Sequence, residues 1–172
     1  MRLWRSLLTA AVTGFLCLVA PSFATVTTVP IYPQTVQTEG ASFTASPLTY
    51  KIIYTGGANG SKVTGIICSS TDTAVAHLMT VFVNTVSASV LCSTTATDCT
   101  SSAAVTVPIN AGIANTVPAI NFMSPTNWPG LPVDSDGNPY IYLTSAQSIQ
   151  ATYATALTSS TQVSCVAIGA DF

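Results

Sequence analysis

About nine or ten short β-prone runs, each closed by Ser, Thr, Gly, Pro, Asn or Asp, fill this chain from Leu48 onward. The runs read LTYKIIY, KVTGIICSS, AVAHLMTVFVNT, SASVLCS, AAVTVPI, NTVPAINFM, PYIYLTS, SIQATYATA and TQVSCVAIGA. Short strands at such spacing predict an all-β, antiparallel two-sheet sandwich of jelly-roll type. Between the first two runs, TGGANGS supplies Gly56-Gly57 and Asn59-Gly60, residues that accept the positive φ of a tight turn. No amphipathic helix competes. Residues 151–158 hold Ala, but Thr152, Tyr153 and Thr155 prefer a strand and no cap flanks them. LMTVFV is apolar on both faces, so one of its faces is expected to meet a partner subunit.

Two segments precede the sandwich. Residues 1–24 read as a secretory signal peptide: Arg2 and Arg5 form the charged start, residues 6–20 are uncharged, and Ala24 closes a small-residue cleavage site. The uncharged stretch is shorter than the roughly 20 residues needed to span a bilayer. Residues 25–47 read as an extended arm, since Pro30, Pro33 and Pro47 exclude helix and central strand. Residues 48–172 are the expected sandwich domain.

Cleavage after Ala24 leaves residues 25–172 with Lys51 and Lys62 against Glu39, Asp72, Asp98, Asp134, Asp136 and Asp171, a net charge of −4. An ordinary soluble protein has about a quarter of its residues charged. No Arg remains and no basic patch exists, which excludes nucleic acid and anionic lipid as partners. Weak charge also means weak self-repulsion, which permits homotypic packing.

The same cleavage leaves four cysteines, an even number suited to an oxidising compartment. They allow three pairings. Cys92–Cys99, closing CSTTATDC, with Cys68–Cys165, tying an early strand to the last, is the favoured one. Zinc is disfavoured, because ligand pairs are usually closer in sequence and His77 is the only histidine.

Candidate sites are few. Asp134, Asp136 and Asn138 alternate in VDSDGNPY and can offer oxygens to calcium, but Gly137 and Ser145 fall off the EF-hand pattern, and the same residues make a plain turn. Trp128, between Pro125 and Pro129, can grip a glycan or cap the sandwich. His77 has no nucleophile motif around it, and the acids do not form an evident hydrolytic pair, so no catalytic residue is assigned. Asn59-Gly60-Ser61 matches a glycosylation acceptor, but the turn accounts for it.

YTGGANGSKVTGIICSSTDT, AVAHLMTVFVNT and the terminal VAIGADF resemble a small β-sandwich domain of tailed-bacteriophage virion proteins. There a G-A-N-G-S turn enters a strand, an L-F-I-N strand follows, and a Gly-Gly-Asp-aromatic motif ends the chain. Here VFVN and Gly169-Ala170-Asp171-Phe172 take the last two places. The resemblance implies a non-enzymatic structural or decorating subunit without cofactor. The leader and the cysteines depart from it, since virions assemble in a reducing cytosol. The sequence therefore predicts an exported structural or surface-assembly subunit that packs against itself. Its alternatives are a phage decoration protein and a secreted glycan- or calcium-dependent binding module using Trp128, Asp134, Asp136 and Asn138.

Overall fold

A computed structural model describes residues 35–44, 49–85, 87–92, 104–112 and 117–172. The leader, most of the arm and Cys99 lie outside the described residues. Nine strands are present among those described: β1 (Thr35–Phe43), β2 (Lys51–Thr55), β3 (Ser61–Ser70), β4 (His77–Asn84), β5 (Ala104–Ile109), β6 (Ala119–Asn121), β7 (Ile141–Leu143), β8 (Ser148–Tyr153) and β9 (Val163–Asp171).

One sheet runs β1-β9-β3-β6, with β7 also on β3, and the other runs β2-β8-β4-β5. Every pairing is antiparallel. The pairs nest: β1 with β9, β2 with β8, β3 with β6, β4 with β5. That is a long hairpin rolled onto itself, the jelly-roll arrangement the strand pattern predicts.

Alternation along each strand sends one set of side chains between the sheets. Val63, Ile66, Cys68, Val163, Cys165 and Ala167 come from the first sheet, and Met79, Val81, Ile149, Ala151 and Tyr153 from the second. Cys68 and Cys165 stand opposite each other in the β3–β9 register and are disulfide-bonded, as the favoured pairing has it. The bond closes a separation of 97 residues. On the chain-entropy model, a loop of this size gives about 4.7 kcal/mol of stabilisation. Cys92 is buried and disulfide-bonded as well.

Three expectations need correction. Residues 35–43, read as part of an arm, are β1, paired over their whole length with β9. SASVLCS is not a strand over its described residues. Its backbone is held by side chains instead: Asn84 Nδ2 and Gln150 Nε2 donate to the Val90 carbonyl, at 3.0 and 2.8 Å, and the Cys92 amide donates to Gln150 Oε1 at 3.0 Å. The apolar outer residues of LMTVFV do not form an open face, because Phe82 is buried with Tyr50 packed edge-on against it and Leu78 alone is exposed.

Candidate functional site

A group of exposed apolar side chains lies on the outer face of the β1-β9-β3 sheet. Inward positions of β9 are Val163, Cys165, Ala167 and Gly169, so Ser164, Val166, Ile168 and Ala170 point outward. The register lines Val166 up with Gly40 on β1 and Ile67 on β3. Ile168 stands between Thr38 and Gly65, and Ala170 between Val36 and Lys62, which faces Tyr142 on β7. Val36 is 79% exposed, Tyr142 57%, and Ile67, Val166 and Ile168 about 40% each. Lys62 is the one charge that the described strands place on this face, and it is engaged: Nζ lies 3.6 Å from Asp134 Oδ2 and 4.8 Å from the centre of the Tyr140 ring.

At one end of this face the β2–β3 turn meets the last residues of the chain. Ser61 donates to Asp171 Oδ1 at 2.6 Å and accepts from the Gly57 amide at 2.8 Å. The Phe172 amide donates to the Gly60 carbonyl at 3.1 Å, and Asn59 Nδ2 donates to the Phe172 carbonyl at 3.2 Å. Gly57 is required, since a Cβ there would sit 2.5 Å from the Asp171 carboxyl carbon, and Gly60 has φ +95°. Tyr54 OH donates to Asp171 Oδ1 at 3.3 Å. Burial, reinforced by the Asp171 charge, pushes this phenol up to about 12, so it stays protonated. GANGS and GADF, far apart in sequence, thus form one interlocked corner.

Beside that corner lies a groove of about 460 Å³ lined by Asn59, Gly60, Tyr142, Thr144, Ser145 and Phe172, among others. Tyr142 lies between Tyr140 and Phe172, its ring tilted against both, with ring centres 4.8 and 5.9 Å away. The sequence reading assigns no ligand role to this group. Its signal was the spacing of Tyr140 and Tyr142, which a strand places on one face, although Phe172 joins them only through the fold.

The other candidates are placed differently. Trp128 is buried in the core cluster and offers no platform. Asp134 Oδ1 accepts from the Asp136 and Asn138 amides at 3.1 and 2.8 Å, which with Gly137 at φ +82° makes the plain turn. The bond from the Asn138 amide, helped against the burial effect by the Asp136 amide and the Lys62 charge, holds the Asp134 carboxyl below its ordinary range. No group of three His, Cys, Asp or Glu able to hold a metal occurs among the described residues.

His77 is fully buried. Its Nε2 lies 3.0 Å from Asp72 Oδ2 and its Nδ1 3.1 Å from the Thr155 carbonyl. Asp72 also accepts from the Ala74, Val75 and Thr158 amides and the Thr158 hydroxyl. Burial pushes the Asp72 carboxyl up, but these bonds together outweigh it and hold the group well below the usual carboxylate range. The network ties the β3–β4 connection to the β8–β9 connection, away from solvent, and has the form of a structural lock.

No protein-family model matches the chain, and no curated protein matches it.

Proposed function

We propose that this chain is an exported, non-enzymatic structural subunit that works by packing against copies of itself. The observation that carries the reading is the outer face of the β1-β9-β3 sheet, with Val36, Ile67, Tyr142, Val166 and Ile168 exposed around one engaged lysine. Three strands of about nine residues, at about 4.8 Å by 3.3 Å per residue, with the short β6 and β7 beside them, give a face of roughly 500 Å². That is below, but of the order of, the ~800 Å² each partner buries in a standard interface.

The Cys68–Cys165 disulfide favours an oxidising compartment, and among the described residues no helix is long and apolar enough to cross a membrane. A virion subunit assembled in the cytosol, the alternative that the phage-like motifs suggest, fits the disulfide less well. Native mass measurement over a concentration series tests the packing. Assemblies that dissociate in the Val166→Lys/Ile168→Lys double variant support it; a wild-type monomer at every concentration rejects it.

A second reading has its own observation, the groove beside Tyr142. Aromatic faces flanked by Asn59, Thr144 and Ser145 suit a neutral glycan. Heat released on titrating neutral oligosaccharides, lost in Tyr142→Ala, supports that reading. No heat with any of them removes it.

A further inference from the structure

Four sheet edges are visible among the described residues, and three are protected. β6 and β7 are only three residues each. β5 carries Pro108. β2 is five residues long, begins with Lys51 and has a register irregularity between Ile52 and Tyr54. Short length, proline, lysine and bulges are the means by which proteins keep edges from pairing. β1 has none of them. It is nine residues long, its register with β9 is unbroken, and it holds neither Lys nor Pro. Its one charge, Glu39, lies on the inward-pointing side and accepts from the Thr55 amide at 2.9 Å.

The ladder shows which groups this edge presents. Cys68 and Cys165 have Cα atoms 4.0 Å apart, the close spacing of a non-hydrogen-bonded pair. The backbone groups of Cys165 therefore turn toward β1, where Ala41 stands opposite. By alternation Gln37, Glu39 and Ala41 bond to β9, while Val36, Thr38 and Gly40 turn their amides and carbonyls to the open side; the Ser42 carbonyl turns the same way but is taken by Lys51 Nζ.

We infer that the β1 edge pairs with β1 of a second copy, antiparallel, about a two-fold axis at Thr38, joining two sandwiches into one continuous sheet. This rests on the self-association reading above and adds to the face contact described there a second contact, at the edge. A second copy is the occupant because a two-fold-related β1 matches the open donors and acceptors of Val36, Thr38 and Gly40, and so sparse a charge opposes it little. The axis at Thr38 sets Glu39 against the second copy's Gln37, whereas an axis at Glu39 would oppose two carboxylates.

Sedimentation and amide exchange on the purified full chain over a concentration series test this. Thr38→Pro and Val36→Pro each remove an open-side N–H and no β9 bond, and should weaken the dimer roughly tenfold or more. Amides of Val36, Thr38 and Gly40 should gain protection as the chain is concentrated, while Gln37, Glu39 and Ala41 are protected throughout. A dimer indifferent to both proline variants overturns the inference. So does equal protection of the Val36, Thr38 and Gly40 amides at every dilution, which would put the chain's own residues 25–34 on the edge. If assembly survives in Thr38→Pro and is lost in Ile168→Lys, the packing reading stands and the edge inference falls. If the wild type never associates, both fall.

Discussion

The two sheets treat their outer faces in opposite ways. On the β2-β8-β4-β5 sheet the outer positions include Ser148, Gln150, Asn84 and Phe82, and all four are buried. Residues 87–92 lie over them, fastened by Asn84 and Gln150, and Tyr50 covers Phe82. On the β1-β9-β3 sheet the outer positions include Val36, Ile67, Val166 and Ile168 among Thr, Ser and Gly, and these four are exposed. The first of these sides thus buries polar groups beneath a cover whose own Val90 and Leu91, with Leu78 beside it, stay exposed, while the second carries its exposed apolar groups on bare strands. Single exposed apolar residues are ordinary, but a row of them in register on one sheet is a patch. The covered side is finished by the chain itself, and on the proposed reading a second copy completes the open one.

The strongest way to break the finished part is through Asp72. It is buried and accepts from three amides, a hydroxyl and His77. Asp72→Ala leaves those donors buried without an acceptor and should cost about 3–5 kcal/mol, a large share of a typical domain's stability. Chemical denaturation reads this as a lower midpoint. The pH dependence has a defined sign. A carboxyl held below its unfolded value of about 3.9 contributes fully above that pH and loses the contribution as pH falls toward the folded value. Wild-type stability should therefore decline below about pH 4, and the Asp72→Ala curve should be flatter there. Parallel curves would show that Asp72 is not the linked group.

The difference between the faces was only half legible in the sequence. Strand positions, the absence of helix among the described residues and the Cys68–Cys165 pairing could be read because each rests on local alternation or on the cysteine count. LMTVFV, however, looked like the partner-facing strand, and the residues that cover it give no local sign of doing so. SASVLCS alternates like a strand, yet side chains from Asn84 and Gln150 take over its backbone bonds. β1 hid between Pro33 and Pro47, and its pairing partner lies more than a hundred residues away. A motif such as GANGS signals a turn, but not that GADF closes against it.

A milder disturbance sharpens the covered side. Gln150 joins Cys92, Val90 and Ser148 through one amide. Gln150→Leu keeps most of the volume, leaves the Cys92 amide without its acceptor and should cost about 2 kcal/mol. The Val90 carbonyl keeps its bond from Asn84, which limits the loss. Amide exchange at Cys92 should accelerate more than at Val81 in the core. Equal acceleration at both would mean global destabilisation, and the 87–92 cover would then not be a separate unit.

The smallest effect on stability is expected on the open side, and its smallness is the point. Val166 and Ile168 are about 40% exposed and sit at outward positions of β9. Replacing either by Lys should change the stability of the monomer by no more than about 0.5 kcal/mol, the usual range for a surface site. The same lysines would face a second copy across a two-fold interface, where like charges oppose each other and their desolvation is costly. A variant with unchanged denaturation and lost association shows that these side chains serve a partner. A variant that unfolds more easily and associates as before shows the reverse, that Val166 and Ile168 belong to the fold and the contrast between the two faces carries no function.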